Sequence, residues 1–368
     1  MRRLRILALE PYYGGSHRAV LDGLVGGIDA EWTLLTLPAR KWKWRMRGSA
    51  ITMAEQVRLL SGDSHDRFDL IFASTFVNLA ELRGLAPQVA SVPAIVYFHE
   101  NQLVYPNRTI ADWDFQFPLT NITTALAAQR CLFNTRWNLE RFVGEIPAFL
   151  RQFPDHHPLG VAEAIAGKSG VLAPPFDPGP FDAVPPRRGA RPRIVWPHRW
   201  EHDKNPEEFF SAVGALAEEG LDFEVAIAGQ AFRDVPEVIL DAERVLGERL
   251  IHLGEPASRC EYACLLTSSD IAVSTAANEF FGIAMVEAAY AGCYPLVPDR
   301  LSYPELYPSQ MRYRDADELV ARLRALIADP PEASLGKSDA GRFTLERLLP
   351  SYREEFERVA IGDVKPAI

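Results

Sequence analysis

Between Pro174 and Pro192 the chain carries seven prolines, and this stretch limits the possible folds more than any other. Proline fixes φ and removes a backbone donor, so neither a core strand nor a core helix is expected there. On both sides, short apolar runs alternate with helical patterns. Before the prolines the candidate strands are Leu4–Leu9, Trp32–Leu37, Leu70–Ser74, Ala94–Phe98, Cys131–Asn134 and Gly170–Ala173. After them come Arg193–Trp196, Phe223–Ala228, Leu250–Leu253, Ile271–Ser274 and Tyr294–Val297. Short apolar strands separated by helices predict parallel α/β sheets. A length of 368 residues suits two domains. The chain therefore reads as two doubly wound α/β domains, 1–185 and 186–344, joined by a proline hinge. A ligand is expected in the cleft between them, at the strand C-termini. The last helical stretch, Leu345–Val359 within 345–368, has no strand after it and is expected to cross back to the first domain.

A net charge of −10 argues against a surface given over to non-specific nucleic-acid binding. It leaves room for a local basic patch, and Arg40-Lys41-Trp42-Lys43-Trp44-Arg45-Met46-Arg47 is one. Neither helical nor strand period gives this segment an apolar face worth burying. Trp can stack bases while Lys and Arg neutralise phosphates, so RNA contact is the functional reading; core-anchored Trp with solvated charges is the bland one. The four Cys (Cys131, Cys260, Cys264, Cys293) are scattered. Cys260 and Cys264 have no partner pair, so the case for zinc is weak and reduced thiols are expected. The N-terminal apolar run ends at Glu10, too short for a signal-peptide core, and no run reaches membrane-spanning length. A soluble cytoplasmic protein is the expectation.

Four further segments carry chemistry. The first strand runs into Gly14-Gly15-Ser16-His17, where the glycines allow close backbone approach and Ser16 can cap the following helix. That is a phosphate or acceptor loop, though not a dinucleotide fingerprint. His99-Glu100-Asn101-Gln102 follows an apolar strand directly, which is where cleft residues belong. Arg199 and Lys204 sit in a polar loop before a helix, two cations suited to a diphosphate leaving group. His198 and His202 raise a metal question that Pro197 and the loop context argue against. His156 and His157, in a Pro-flanked insertion, read as a solvated loop. Finally, Glu279 and Glu287 flank Phe281-Gly282-Ile283, a loop-to-helix junction whose free N–H groups favour an anion. A buried amphipathic helix with two surface acids would give the same local sequence.

Taken in order and spacing, these segments resemble GT-B glycosyltransferases of the GT4 type. Arg199 and Lys204 match that family's Arg-x₄-Lys phosphate pair, and Glu279 and Glu287 its Glu-x₇-Glu motif. The resemblance implies two Rossmann-like domains, retention of anomeric configuration and no bound metal. It also implies that Arg199 and Lys204 hold the donor diphosphate, Glu279 and His99 meet the transferred sugar, and Glu287 meets the ribose. Gly15, Ser16 and the N–H groups of Phe281, Gly282 and Ile283 would complete the donor site. A narrower resemblance covers nearly the whole chain. Tyr13-Gly-Gly-Ser-His17, Leu37-Pro-Ala-Arg-Lys-Trp-Lys-Trp-Arg45, Phe98-His-Glu-Asn-Gln-Leu-Val-Tyr-Pro106, Asp114-Phe-Gln116 and Pro154-Asp-His156 look like the tRNA-queuosine α-mannosyltransferase family. It implies GDP-mannose as donor and queuosine-containing tRNA as acceptor. His17, Arg40, Lys41, Trp42, Lys43, Trp44, Arg45, Arg47, Glu100, Asn101 and Gln102 would then serve the acceptor. The alternatives are a GT4-type hexosyltransferase with a lipid, glycan or other nucleoside acceptor, and a non-catalytic RNA-binding protein on the same scaffold.

Overall fold

A computed structural model describes residues 3–61, 68–106, 114–185, 189–231, 234–330 and 334–363. The chain forms two compact units, Met1–Pro175 with Leu348–Ile368, and Phe176–Arg347. Each is built on one six-stranded sheet, and all observed pairings are parallel.

In the first unit the strands are β1 (Arg5–Tyr13), β2 (Glu31–Pro38), β3 (Leu70–Ser74), β4 (Ala94–Phe98), β5 (Arg130–Phe133) and β6 (Ser169–Val171). Their order is β2-β1-β3-β4-β5-β6. β3 and β4 are buried at every position, as expected of parallel strands covered by helices on both faces; that is why they read as unbroken apolar runs. Along β1 the side chains alternate. Leu7 and Leu9 join a core with Ile71, Val96 and Phe98, while Ile6 and Ala8 join a second core with Phe72, Ile95 and Tyr97 on the other face. The helix Leu345–Ala360 closes that second face. Tyr352, Phe356 and Val359, spaced i, i+4, i+7, form one apolar stripe and are fully buried. Burying such side chains stabilises by roughly 1.5–3 kcal/mol each. Two further contacts seat the helix: Arg130 pairs with both Glu355 carboxylate oxygens at 3.0 Å, and the Tyr352 hydroxyl donates to the Ala173 carbonyl.

In the second unit the strands are β7 (Arg193–Trp196), β8 (Glu224–Ala228), β9 (Leu250–Gly254), β10 (Ile271–Val273), β11 (Tyr294–Pro298) and β12 (Arg312–Tyr313), ordered β12-β11-β10-β7-β8-β9. The two-residue β12 is too short to leave a signal in the sequence. The proline stretch departs from expectation. Gly179–Asp182 forms a helical turn, which Pro180 tolerates because first-turn N–H groups have no intrahelical acceptor anyway. Phe176 and Phe181 are buried, with Phe176 edge-on to Tyr290 at 5.2 Å. These aromatic anchors put the division after Pro175, ahead of the expected 185.

Candidate active-site clusters

In a doubly wound sheet, the chain leaves one central strand in one direction and later returns on the other side of it. The crevice at that point, beyond the strand C-termini, is where ligands bind. In the second unit the switch lies between β7 and β10, which are neighbours. The loop after β7 carries Arg199 and Lys204, and the loop after β10 carries Glu279. Topology thus joins two motifs far apart in sequence. The joint is stitched by backbone: Ala277 N and Asn278 N both donate to Asp203 O, at 2.8 and 3.1 Å. Thr275 Oγ1 donates to Lys204 O at 2.9 Å and accepts from Trp196 Nε1. His202–Lys204 is a 3₁₀ turn ended by Asn205 in the left-handed region, φ 50°, from which Pro206 starts the next helix.

Lys204 is buried. Its Nζ donates to Asn278 O at 2.7 Å and lies 3.3 Å from both Glu279 Oε2 and Asp203 Oδ2. Burial pulls its pKa down, but the two carboxylates outweigh this and leave it raised. Burial pushes Glu279 up, but Lys204 and the other donors to the carboxylate leave it lowered. Both groups are therefore held charged. Arg199 is exposed and pairs with Glu201. The helix Ile283–Ala291 starts from Gly282 at φ +83°, in the region that favours glycine. A Cβ there would also press Tyr303 Cε1 at 3.1 Å. The expected N–H cradle is narrower than the sequence implies: Phe280 N and Phe281 N donate to Glu279 Oε1 at 3.1 and 3.4 Å. In the first turn Met285 N and Val286 N already donate to Gly282 O, at 3.0 and 3.1 Å, which leaves the N–H groups of Ile283 and Ala284 without an acceptor in the helix. Glu287 is buried and held by Arg259 through both guanidinium NH₂ groups. Burial pushes its pKa up further than Arg259 pulls it down. Arg259, which no sequence motif marks, lies over the rings of Phe181 and Tyr262.

The first unit's switch point lies between β1 and β3. There Glu10, His17, Ser74 and His99 meet, from within β1, the ends of β3 and β4 and the helix Gly15–Gly27. Glu10 is buried. Its Oε2 lies 3.0 Å from His17 Nδ1, and its Oε1 accepts from Tyr12 N at 2.8 Å and Ser74 Oγ at 3.0 Å. His17 and His99 stack face to face, centroids 3.9 Å apart and planes 26° apart. Burial, then the His17 ring, pushes His99 well below its ordinary pKa, so it is neutral. The apolar run of the sequence stops at Leu9 and passes over Glu10, whereas β1 continues to Tyr13. A Cβ on Gly14 would lie 2.4 Å from Ala39 Cβ, and Gly15 sits at φ +51°. The tight packing at Gly14 is therefore against the loop after β2. The expected cap at Ser16 does not form. Gly14 takes the N-cap position without a side-chain bond, and Ser16 is exposed in the first turn.

Glu100, Asn101 and Gln102 correct the expectation of acceptor contact in part. Asn101 and Gln102 are buried. Asn101 bonds Asn138 Oδ1 at 2.7 Å and accepts from Leu103 N and Val104 N. Gln102 donates through its N–H to Asn121 Oδ1 and through its amide to Glu100 Oε1. Buried amides satisfied in this way hold a loop; they do not reach a macromolecule.

The basic segment also differs, because it starts the helix Trp42–Ser61 and does have a face to bury. Met46 is buried. Trp42 packs on Phe117 at 5.1 Å. Arg45 donates to Pro38 O. Arg47 lies over Phe117 and pairs with Asp114. Arg40, Lys41, Lys43 and Trp44 are exposed, Trp44 at 65%.

Among the described residues, one group of His, Cys, Asp or Glu brings its ligand atoms together: Glu10, His17 and His99. Its geometry suits an ion poorly. A metal lies in the plane of each ring that ligates it, and near-parallel stacked rings run their lone pairs side by side. His198 is buried and His202 lies toward Glu207. Cys260 and Cys264 are exposed and in no disulfide among the described residues. His156 is solvated and His157 bonds Phe153 O.

Residues 5–176 match the model of the tRNA-queuosine alpha-mannosyltransferase N-terminal family, and residues 181–337 that of glycosyl transferases group 1. A curated Drosophila melanogaster relative, tRNA-queuosine alpha-mannosyltransferase, is 36% identical over 372 residues, covering 96% of each chain. Among solved structures, sucrose-phosphate synthase from Thermosynechococcus elongatus matches 98% of this chain and 100% of its own, with TM-score 0.71 and 14% identity. Anabaena HepE in complex with UDP matches 96% and 100%, with TM-score 0.69 and 17% identity. These likenesses show the GT-B fold. Among the described residues no helix is long and apolar enough to cross a membrane.

Proposed function

We propose the reaction from a premise the comparisons supply: the chain belongs to the tRNA-queuosine alpha-mannosyltransferase family. It is a glycosyltransferase. The reaction is transfer of mannose to queuosine in tRNA, with retention of anomeric configuration and GDP-mannose as donor, in the cytoplasm. The observation that carries this reading is the joint at β7 and β10. There Lys204, kept charged by Glu279 and Asp203, is bonded to Asn278 O and Glu279, in the loop that leads into the helix Ile283–Ala291. A cation and helix N–H groups suit a diphosphate that gains charge as the glycosidic bond breaks. In this reading Glu279 meets the sugar and Glu287 the ribose. Lys204, Arg199 and the helix N-terminus supply the charge stabilisation that a resident metal would otherwise give, so no metal is needed. On the first unit, exposed Arg40, Lys41, Lys43 and Trp44 offer phosphate and stacking contacts to tRNA, and His17 and His99 meet the nucleoside and the transferred sugar.

Lys204→Ala tests the site. Turnover should fall by at least about 10²–10³-fold, while tRNA binding stays near normal and the second unit keeps its thermal transition. Near-normal turnover would overturn the assignment. Incubation of queuosine-containing tRNA with a panel of nucleotide sugars, followed by mass analysis of the nucleosides, tests donor and acceptor. Transfer from another donor, or to another nucleoside, would refute that part of the reading.

A further inference from the structure

Arg259 starts the helix Arg259–Thr267, directly after the cap Ser258. One edge of its guanidinium is spent inside the fold: both NH₂ groups donate to the buried Glu287 carboxylate, one to each oxygen. Its Cζ lies over the rings of Phe181 and Tyr262, 5.0 and 5.2 Å from their centroids. Carboxylate and rings together fix the guanidinium plane, so a ligand has little rotamer freedom left to remove. The group is nevertheless open, with 44% of its side chain exposed. A guanidinium carries five N–H donors in a fixed fork. Glu287 takes two of them, and among the described residues Arg259 makes no other hydrogen bond or ion pair. Its side edge, Nε–H with the N–H next to it, is left as a second, unused fork.

Topology bears on what that fork meets. Lys204 follows β7, whereas Arg259 follows β9, two strands further out in the sheet order, roughly 10 Å at ordinary strand spacing. Glu287, the ribose contact under Proposed function, is bonded to Arg259 itself. A nucleotide laid from Lys204 past Glu287 therefore brings its base toward Arg259. We infer that Arg259 is a specificity-determining residue that reads the donor base as guanine, its side edge donating to the adjacent acceptors O6 and N7. Guanine alone offers two neighbouring acceptors there; adenine sets an N6 donor beside N7, and pyrimidines have no N7. Base reading of this kind rests on the donor placement under Proposed function and adds the base contact to it.

Titration calorimetry with free nucleotides tests this without turnover or tRNA. The probes are GDP, 7-deaza-GDP, in which a C–H replaces N7, and UDP. The native chain should bind GDP about 10-fold or more tightly than 7-deaza-GDP, the loss expected when a charged donor is left without its acceptor. Arg259→Lys keeps a cation beside Glu287 but replaces the planar fork by a point charge. In that variant GDP should bind more weakly, and the two guanine nucleotides should come within about threefold of each other. A purely structural role for Arg259 would weaken both alike and leave their ratio at the native value, which overturns the inference. Equal native affinity for GDP and 7-deaza-GDP also overturns it, and needs no variant that folds. Tighter native binding of UDP than of GDP would instead overturn the donor base under Proposed function.

Discussion

His198 lies inside the second unit with its Nε2 atom buried and, among the described residues, without a hydrogen-bond partner. Its backbone is close enough to β8 that a Cβ on Gly229 would fall 1.8 Å from the His198 carbonyl oxygen. Burial, with Lys204 next, pushes its pKa down to about 3. The unfolded chain, with a histidine near 6.5, takes up a proton that the native state refuses. The stability this neutral ring allows is therefore complete above about pH 6.5 and is lost as pH falls toward the folded value, by at most about 1.4 kcal/mol per pH unit. His99 shifts in the same direction for the same first cause and adds to the slope. Urea midpoints at pH 7.5, 6.5 and 5.5 should fall steadily, and His198→Gln should flatten the fall. An unchanged slope in that variant would mean His198 is not held neutral. Single residues are only partly legible in the sequence. His99 and Lys204 stand out because each follows an apolar strand in a polar run. Glu10 does not, because a carboxylate that ends an apolar run looks like the first loop residue, and its burial depends on donors from Ser74 and Tyr12. Arg259 is invisible, since its partner Glu287 is 28 residues away and nothing local marks the pair.

At the scale of elements, the strands are legible and the basic segment is not. β3, β4 and β7 begin and end at the bounds expected from the sequence, because the runs Leu70–Ala73, Ala94–Phe98 and Ile194–Trp196 inside them are buried throughout. The segment 40–47 fails the same test for a physical reason. Its apolar face is made partly by aromatic and aliphatic parts of Trp42, Arg45 and Arg47, whose charged or polar ends reach elsewhere. What remains outward is narrower than the sequence promises. Reversing charge at Arg40, Lys41 and Lys43 should weaken tRNA binding and flatten its dependence on salt, by about one unit of slope for each phosphate no longer neutralised. Trp44→Ala should weaken it by about 1–3 kcal/mol with little change in slope, as expected of stacking. Reversal at Arg47 should instead lower stability, since it removes the pair with Asp114 and the packing on Phe117. Filter or anisotropy titrations at several salt concentrations separate these outcomes. Unaltered binding in the triple reversal would move the RNA surface elsewhere.

For the whole molecule, the second unit is an insertion in the sequence of the first. The expectation that the final helix leaves the second domain follows from the absence of a strand after it, and the stripe Tyr352, Phe356 and Val359 gives the destination: the face of the first sheet that holds Ile6, Phe72 and Tyr97. A chain ending at Arg347 should leave that face uncovered. We expect it to lose the first unit's cooperative thermal transition while keeping the second's, as seen by calorimetry, and to bind an apolar dye. A normal first transition would show that the helix is dispensable. The same connectivity bears on synthesis. Residues emerge from the ribosome in order, so the first unit, although translated first, waits for Tyr352 to Val359 before its last face can close. The inserted unit has all its strands by then and can fold ahead of it. The portion made first is thus finished last, and for the time it takes to translate the insertion it presents an apolar sheet face that a chaperone would recognise.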